Sequence, residues 1–372
     1  MKTTFKKQLS IILICTMLAV LTACGTDSAT TTQSTTESTT AASVSESASS
    51  EEVSEELSSE ESSTEADAEQ TVYPVTVTDQ AGREVTIEKE PSSIVSGYYI
   101  SSSLLIALGL KDKVVGIEAK ADKRPIYKLA APELTELPNV GTAKEFNLET
   151  CAALSPDLVI LPMKLKDAAQ SLTDLGITVL LVNPESQDLL TEMINTIATA
   201  TNTNSEAAKL LAYIDSQKDM LTSALSGVEP ESVYLAGNSS FLSTAGPSMY
   251  QSSIIELAGG KNAADSITDT YWAEISYEQL LAWDPSYIII ASDAEYTVDD
   301  IMNDPNLAEC TAVKNNHVYA IPGDVEALDS PVPAGILASV WLAGILHPDK
   351  VSTDTYTTEM TNYYETFYGI HN

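Results

Sequence analysis

The feature that most constrains the fold of this chain is an alternation of short apolar runs with helical patterns, which occurs in two series. The first series has apolar runs at residues 114–117, 158–161 and 179–182, with segments of helical periodicity between them. Short apolar strands that alternate with helices are typical of βαβ units, whose strands form a parallel sheet. An α/β fold is therefore predicted, beginning with a β-hairpin at about residue 73.

The alternation is interrupted once, by a long helix. Residues 205–225 contain neither Gly nor Pro, and Ser205 is a residue type that caps helices. A second series of strands and helices follows this segment. The predicted fold class is α/β, with two Rossmann-like lobes, at residues 71–203 and 228–372, that are joined by one long α-helix within residues 204–227.

The first 24 residues have the pattern of a secretion signal. Three lysines precede an apolar run at residues 9–21, and the run ends in Leu-Thr-Ala-Cys at Cys24. This run is short for a membrane span and has the length of a signal-peptide core. Small residues before Cys24 resemble the bacterial lipoprotein box, so residues 1–24 are interpreted as a lipoprotein signal peptide whose removal leaves Cys24 lipidated. The alternative is an ordinary signal peptide with an incidental cysteine.

The following segment, residues 25–70, has the composition of a tether. It contains 22 Ser+Thr and 12 Asp+Glu and no Lys or Arg. Such a segment cannot bury enough apolar surface to offset the entropy of ordering, so it is expected to be disordered. Together with the lipid anchor, it predicts a protein held at the cell membrane on the extracytoplasmic face.

The net charge excludes two kinds of partner. The chain has 19 Lys+Arg against 53 Asp+Glu, which gives a formal net charge of -34. Binding to nucleic acids or to anionic lipid surfaces depends on clustered cations, so neither is expected. Cys151 and Cys310, the two cysteines of the folded part, are too few and too distant in sequence for a small disulfide framework.

No pattern of a catalytic centre is present in the sequence. A G-x-S-x-G elbow, an H-E-x-x-H helix and a P-loop are all missing. The three histidines, His317, His347 and His371, are expected at the surface, and Cys151 is expected to be a small buried residue. Bare transition-metal sites use clusters of His, Cys and Asp, and none occurs. The chain is therefore interpreted as a non-enzyme without a cofactor or a metal site.

Aromatic residues are concentrated where a ligand would bind. Ligands of open α/β sheets lie outside the carboxyl ends of the strands, which selects a small set of loops. Those loops contain Tyr98, Tyr99, Phe241, Tyr250, Tyr271, Trp272 and Tyr296. Flat aromatic walls suit a bulky organic ligand. Trp272 and one of Tyr98 and Tyr99 are the strongest candidates, and the alternative is that some of these side chains only pack the loops.

Charges are distributed unequally between the predicted lobes. Residues 71–203 carry 11 Lys+Arg against 17 acids, whereas residues 228–372 carry three Lys against 21 acids. The loops selected in the first lobe contain Lys120, Lys123, Arg124, Lys144, Lys164 and Lys166. Cations at a cleft attract an anionic or carboxylate-bearing ligand. Arg124, Lys144 and Lys164 are therefore candidate ligand-binding residues, and the alternative is a solvated lysine face.

The second lobe offers carboxylates in its own loops. Asp324, Glu326 and Asp329 fall in the segment after the last predicted strand. They are suited to accept hydroxyl or amine groups of a ligand, or to pair with lysines of the first lobe. Asp329 is the candidate ligand-binding residue among them.

Two sets of residues resemble one known family. Residues 147–149 with 153–160 look like the first-lobe signature of substrate-binding proteins of ABC importers for iron–siderophores, haem and cobalamin. Residues 272–280 with 284–290 repeat the same scheme of helix, proline and strand. The resemblance covers nearly all of residues 71–372 and implies a class III periplasmic binding protein, in which a single helix bridges the lobes and the ligand lies in the cleft between them.

The resemblance also implies roles for single residues. Glu149 and Glu278 stand at corresponding helix starts, where glutamates of the family are thought to pair with arginines of the permease. The alternative is stabilisation of the helix N-terminus. Trp272 matches a cleft tryptophan of the cobalamin-binding relative, whereas the matching position of the first lobe is Ala143, which counts against cobalamin.

The function predicted is that of an extracytoplasmic solute-binding lipoprotein. It is expected to act as a monomer that captures an iron–siderophore-type chelate and delivers it to an ABC permease with its ATPase. Cobalamin or another corrinoid, haem and molybdate are the alternative ligands, and a tyrosine such as Tyr98 or Tyr99 is a candidate ligand of haem iron. An alternative of another class is a surface scaffold or adhesion lipoprotein. A hydrolase on the same lobes would need a nucleophile that the sequence does not offer.

Overall fold

The computed structural model describes residues 70–268 and 270–371. The predicted signal peptide, Cys24 and residues 25–69 of the predicted tether lie outside the described residues. None of the described helices combines the length and the apolar character needed to cross a membrane.

The first lobe is built around a sheet of four parallel strands in the order β4-β3-β5-β6. Its strands are β1 (Val75–Thr78), β2 (Glu84–Ile87), β3 (Ile94–Ser96), β4 (Val114–Ile117), β5 (Leu158–Pro162) and β6 (Val179–Val182). Its helices are α1 (Tyr99–Ala107), α2 (Pro125–Ala130), α3 (Leu148–Ala153), α4 (Lys166–Asp174) and α5 (Gln187–Thr201). Every residue of β5 and β6 is buried, because helices cover both faces of a parallel sheet.

The predicted hairpin opens the lobe as β1 and β2, which pair antiparallel. Asp79 at its turn is 2 % exposed. Its carboxylate accepts hydrogen bonds from the Arg83 guanidinium at 2.6 and 2.9 Å and from the Leu181 N–H at 3.0 Å. The hairpin is thereby attached to β6 of the sheet.

The predicted connecting helix is α6 (Asn204–Ala224), 21 residues long. It buries Ala207, Leu210, Ile214 and Leu221 along one side. This side packs against α5 of the first lobe and against helices of the second lobe. The spacing of these apolar positions at three, four and seven residues is that of a helix laid along a surface.

The second lobe repeats the architecture, with a parallel sheet in the order β12-β11-β7-β9 and a small antiparallel pair of β8 and β10. Its strands are β7 (Glu231–Ala236), β8 (Ser243–Ala245), β9 (Gly260–Asn262), β10 (Trp272–Glu274), β11 (Tyr287–Ile290) and β12 (Val318–Ala320). Its helices are α7 (Tyr250–Leu257), α8 (Tyr277–Trp283), α9 (Val298–Met302), α10 (Thr311–Lys314), α11 (Ile336–Leu346) and α12 (Thr353–Tyr368). The predicted α/β fold of two lobes joined by one long helix is confirmed.

The last helix adds a second connection between the lobes. Besides packing on α11, α12 contacts α1 of the first lobe. The hydroxyl groups of Ser103 on α1 and Tyr368 on α12 lie 2.8 Å apart in the buried interior. The lobes are therefore held together by α12 as well as by α6, which limits how far they can hinge.

One prediction about the histidines is wrong. His347 is 6 % exposed, with its Nε2 2.9 Å from the carbonyl oxygen of Gly259. It is the C-cap residue of α11, and it is buried because its ring packs against Gly259. His317 is half-buried and its ring stacks on Tyr287, and His371 is exposed. Cys151 is buried as predicted, and burial raises the pKa of its thiol to about 11.

Candidate ligand-binding cleft

The carboxyl ends of the parallel strands in both lobes border a cleft. Loops after β3, β4, β5 and β6 face loops that follow strands of the second lobe, and two cavities open between them. The first cavity has a volume of about 220 Å³ and is lined by Tyr99, Lys120, Lys123–Tyr127, Asp293, Gly323, Val325–Ala327 and Val332. The second has a volume of about 480 Å³ and is lined by Met163, Lys164, Lys166, Asn183, Glu185, Met249, Tyr271 and Trp272.

Arg124 is the one arginine of the described residues that lines the first cavity. A short 3-10 turn at Ala121–Lys123 precedes it, and Pro125 starts α2 directly after it. Its guanidinium carbon lies 4.0 Å from the ring centroid of Tyr99, which is a cation–π contact. The Tyr99 hydroxyl donates a hydrogen bond of 2.7 Å to Ser330 Oγ across the cleft. The guanidinium thus lies over a ring that is itself hydrogen-bonded to the second lobe.

Two buried carboxyl groups lie near Arg124. Glu118 accepts hydrogen bonds from Ser102 Oγ at 2.6 Å and Tyr127 OH at 2.7 Å, and burial raises its pKa. Glu326 accepts one from the Ser103 hydroxyl, and burial raises the pKa of this carboxyl to about 7. Both groups remain buried because hydroxyls of α1 satisfy their oxygens.

Asp329 lies in the same part of the second lobe but does not line the first cavity. It is 4 % exposed, and it accepts hydrogen bonds from the hydroxyl and the N–H of Ser292. Burial raises the pKa of its carboxyl. Asp329 therefore holds the loop that carries Asp293, which does line the cavity.

The second cavity is more apolar. Trp272 begins β10, which pairs with β8, and its indole lies over Gly237, where a Cβ would come within 2.7 Å of the ring. Trp272 is 39 % exposed and Tyr271 is 57 % exposed. Met163 of the first lobe and Met249 of the second complete the apolar lining. Lys164, Lys166, Asn183 and Glu185 supply the polar groups.

Most of the cations that line the cleft have no ion-pair partner among the described residues. Within the described residues, Lys120, Arg124, Lys164 and Lys166 form no ion pair with a carboxylate within 4.0 Å, whereas Lys123 pairs with the exposed Asp122. Such positive charges attract an anion from solution.

The structure brings together part of the predicted set. Tyr99 and Arg124 line the first cavity, and Lys164 and Trp272 line the second. The Tyr98 ring packs edge-on against Tyr99, with a centroid distance of 5.5 Å. Burial raises the pKa of the Tyr99 phenol to about 12 and also raises the pKa of Tyr98, so both hydroxyls are neutral at physiological pH.

Besides Asp329, four predicted residues lie elsewhere. Lys144 is exposed and lines neither cavity. Phe241 and Tyr296 pack on each other at 5.7 Å beside the second-lobe core, and the Tyr296 hydroxyl donates to the Gly237 carbonyl at 2.6 Å. Tyr250 is fully buried, which corrects the expectation that it forms a wall of the cleft. For these aromatic residues the structure favours the alternative of packing within the lobe.

Glu149 and Glu278 occupy equivalent places on the surface. Each is the second residue of its helix, α3 and α8, and each is exposed. The helices begin with the side-chain caps Asn147 and Ser276, which accept from backbone N–H groups at 2.9 and 3.2 Å. The Ser276 hydroxyl lowers the pKa of Glu278, so its charge is maintained at neutral pH.

The sequence patterns missed several residues that line the cavities. Tyr127, Met163, Glu185 and Met249 were not selected, and Glu326 was noted only as an acid of a second-lobe loop. Met163 and Glu185 follow the last residues of β5 and β6 within three positions, so proximity to a strand end was an available signal. Tyr127 and Met249 also lie in segments that follow strands, but which side chains of those segments face a cavity depends on how α2 and the loop before α7 pack.

Comparison with known proteins identifies the family. Residues 94–325 match the family model described as periplasmic binding protein. A molybdate-binding protein of Haemophilus influenzae, MolA, is 25 % identical over 78 % of this chain and 90 % of its own length. An Fe(3+)-citrate-binding protein of Bacillus subtilis, YfmC, is 30 % identical over 65 % of this chain and 76 % of its own.

A solved structure agrees with the fold. A periplasmic solute-binding protein of Veillonella parvula superposes with a TM-score of 0.71 at 25 % identity, over 80 % of this chain and 94 % of its own. The described residues contain no group of three or more His, Cys, Asp or Glu side chains that is suited to hold a metal ion. With the interlobe cleft on the carboxyl edges of two parallel sheets, this chain belongs to the periplasmic binding protein family and is a substrate-binding protein of the ABC-transporter class, not an enzyme.

Proposed function

We propose that this protein captures an anionic iron(III) chelate of the siderophore type in its cleft and delivers it to the permease and ATPase of an ABC importer. The observation that carries the proposal is the first cavity, where Lys120, Lys123 and Arg124 converge. The whole chain has only 19 Lys+Arg against 53 Asp+Glu, so three cations at one small cavity are a strong local exception.

The geometry of Arg124 supports recognition of an acidic chelate. A guanidinium presents its donors in a rigid plane that matches a carboxylate or a similar bidentate acid. Tyr99 holds this plane in place before any ligand arrives. Since little rotamer freedom is then lost on binding, more of the interaction energy appears as affinity.

The alternative ligands fit the cleft less well. Molybdate is the ligand in the printed name of one relative, but a single tetrahedral oxyanion would leave most of the cleft empty. Haem iron would take a tyrosinate, and burial raises the pKa of both candidate tyrosines. A corrinoid would lack an aromatic wall at Ala143. An Fe(3+)-citrate-binding relative is in line with an iron chelate.

Docking and anchoring complete the proposal. Glu149 and Glu278, exposed at matching helix starts, are proposed to contact the permease, one from each lobe. Cys24 is proposed to carry the lipid that retains the protein, as a monomer, on the outer side of the cell membrane. A scaffold or adhesion role has no feature of the cleft in its favour.

The test is a titration of the full chain by tryptophan fluorescence. Ferric citrate, a ferric hydroxamate, a ferric tris-catecholate, cobalamin, haem and molybdate are compared for the wild type and for Arg124→Ala. We expect saturable binding of a ferric chelate that is weakened at least ~10-fold by Arg124→Ala, because a charge-assisted hydrogen bond is lost.

Lys128→Ala is the matched control. Lys128 is an exposed cation on α2, the helix that begins directly after Arg124, and it lines neither cavity. We expect its affinity for the chelate to equal that of the wild type. Equal losses in both variants would show a general charge effect instead of a site. Binding of molybdate, cobalamin or haem with no ferric chelate bound would replace the ligand class.

A further inference from the structure

We propose that the cleft contains two subsites at opposite ends and that its ligand is an extended chelate, acidic at one end and carrying a flat conjugated group at the other. This inference rests on the proposed function, because it specifies the ligand class of the same cleft. The two cavities are the two subsites. The order of the strands that carry their lining residues shows how far apart they lie.

In the first lobe the sheet order is β4-β3-β5-β6. The residues that line the first cavity follow β4 and β3, whereas those that line the second follow β5 and β6. Neighbouring strands lie about 4.8 Å apart, so the outer strands β4 and β6 are about 14 Å apart at the cleft edge. The cavities therefore lie towards opposite edges of this sheet.

The second lobe has the same polarity. Its sheet order is β12-β11-β7-β9. Asp293 and Gly323 of the first cavity follow β11 and β12, whereas Trp272 of the second cavity packs on Gly237 directly after β7. Both lobes thus place the first cavity towards one side of the sheet and the second towards the other side, so the cleft is elongated.

The two ends differ in chemistry. The first end presents the Arg124 guanidinium with two lysines, and the carboxyl of Glu326 faces the same space. The second end presents an indole, a phenol and two thioethers. Of the five large apolar side chains that are exposed in the described part of the chain, Tyr271 and Trp272 line this second cavity. Exposed apolar surface of this kind marks a binding site.

The position of the Trp272 indole is set by Gly237 and by the pairing of β10. Gly237 leaves room for the ring of Trp272, and β10 is fixed by its pairing with Ala245 and Thr244 of β8. A flat group of the ligand can therefore stack on a surface that is already in place. Lys164 and Lys166 at the rim suit an acidic substituent on that flat group, such as a catechol oxygen.

Tyr98 connects the ends. Its ring packs on Tyr99 of the first cavity. Burial is the main cause of the raised pKa of Tyr98, and Tyr99 adds to it. The carboxylate of Glu185 in the second cavity also adds to it, so Tyr98 lies near this cavity as well. Since Tyr98 follows β3, in the middle of the sheet, and lines neither cavity itself, it is placed between the two subsites.

The combined size agrees with a ligand that reaches both ends. The cavities of about 220 and about 480 Å³ together fall within the roughly 300–1,000 Å³ of typical small-molecule sites. A tetrahedral oxyanion reaches one end only, and ferric citrate has no flat conjugated arm for the second. A ferric chelate with aryl arms has the required chemistry, and a propionate-bearing macrocycle is the alternative from which the experiment distinguishes it.

The experiment compares Arg124→Ala, Trp272→Ala and the double variant of the full chain. The probes are a ferric tris-catecholate, ferric citrate and haem. We expect each single variant to lose at least ~10-fold in affinity for the aryl chelate, and ferric citrate to respond to Arg124→Ala alone. A larger loss of affinity for haem than for the tris-catecholate in these variants would identify a macrocycle, and not an aryl chelate, as the ligand. Trp283→Phe, which alters a tryptophan on α8 outside both cavities, is the control.

The inference is overturned if Trp272→Ala leaves the affinity unchanged for every ligand that Arg124→Ala weakens. A result in which no iron chelate binds would remove the proposed function but not yet the second subsite. In that case 2,3-dihydroxybenzoate, a single aryl arm, must still change the emission of the wild type and of Trp283→Phe but not of Trp272→Phe. If it changes none of them, the second subsite is disproved as well.

Discussion

The two lobes share one architecture but contribute different chemistry to the cleft. Each has four parallel strands covered by helices, and the cleft lies on the carboxyl edges of both sheets. The first lobe contributes the cations of both cavities, whereas the second contributes Tyr271, Trp272, Asp293 and Glu326. The same scaffold thus carries opposite charge on its two sides of the cleft.

A pair of glycines shows what this difference teaches. Gly97 follows β3 and Gly237 follows β7, so they occupy corresponding places in the two lobes. A Cβ at Gly97 would meet the Leu161 side chain of the core at 2.5 Å. A Cβ at Gly237 would meet the Trp272 indole of the cleft at 2.7 Å. An equivalent backbone position therefore serves packing in one lobe and a candidate binding surface in the other.

The largest effect is expected from breaking the buried polar anchor of each lobe. Asp79→Ala should lower the free energy of unfolding by about 3 kcal/mol, because the buried carboxylate holds the partly exposed Arg83 and three backbone N–H groups. Asn262→Ala in the second lobe should cost about 2 kcal/mol, since its amide bonds Ala245 and Ser252. Urea denaturation measures both. A larger loss for Asn262→Ala would reverse the expected ranking of the lobes.

The next effect concerns the carboxyl that joins the lobes. Burial raises the pKa of Glu326 from 4.5 to about 7, so between these values the folded state binds more protons than the unfolded state. The free energy of unfolding therefore falls as pH rises through this window, by on the order of 2–3 kcal/mol. Below it the penalty is absent, because the carboxyl is protonated in both states.

Glu326→Gln tests this pH dependence. The amide keeps a group of the same shape beside Ser103 but does not ionise, so the fall in stability between pH 5 and pH 8 should be smaller than in the wild type. Urea denaturation at both pH values measures it, with Glu149→Gln as an exposed control on the surface. If the free energy of unfolding falls equally with pH in Glu326→Gln and in the wild type, another titrating group causes the fall.

The glycine pair gives a third prediction. Gly97→Ala should destabilise the first lobe by about 1–3 kcal/mol through overpacking against Leu161, with little effect on the spectrum of Trp272. Gly237→Ala should instead displace the Trp272 indole, so tryptophan emission and affinity for an aryl chelate change. Thermal unfolding and a fluorescence titration separate the two outcomes. If Gly237→Ala binds the chelate as the wild type does, the support of the indole by this glycine is unimportant.

The smallest effect on the isolated protein is expected at the proposed docking residues. Glu149→Gln and Glu278→Gln lie on exposed helix starts, so stability and ligand affinity should be unchanged. Ligand-stimulated ATPase activity of the reconstituted importer should fall in each variant and fall further in the double variant. Loss in only one variant would show that one lobe dominates docking, and no loss in the double variant would contradict the docking role.

Much of the fold was predictable because its signals are local. The connecting helix, predicted at 205–225, is found at Asn204–Ala224, since an uninterrupted helical pattern needs no distant partner to be recognised. The strands predicted at residues 114–117, 158–161 and 179–182 agreed for the same reason, as short apolar runs end where turn residues begin, whereas β8, β9 and β10 were not predicted. Helix ends are harder to predict: α1 starts at Tyr99, and its N-cap Tyr98 makes no side-chain capping bond that a sequence pattern would show.

The candidate site was predictable only as a set of loops. Selecting strand ends found Tyr99, Arg124, Lys164 and Trp272, which line the cavities. It also selected Lys144, which stays outside both, because the loop after Gly141 turns away from them. His347 was expected at the surface but lies buried against Gly259, a contact that no local pattern announces.

By itself, the sequence determined the alternation of strands and helices in two series, the single long connecting helix and the charge contrast between the lobes, because these follow from periodicity and composition. Only the tertiary structure decided which side chains reach the cleft. Tyr99 and Tyr250 each begin the first helix that follows the leading strand of their lobe, α1 and α7. Tyr99 contacts Arg124 at a cavity, whereas Tyr250 is buried against Gly335. Burial depends on partners that are remote in sequence, so identical residues in equivalent positions have different surroundings.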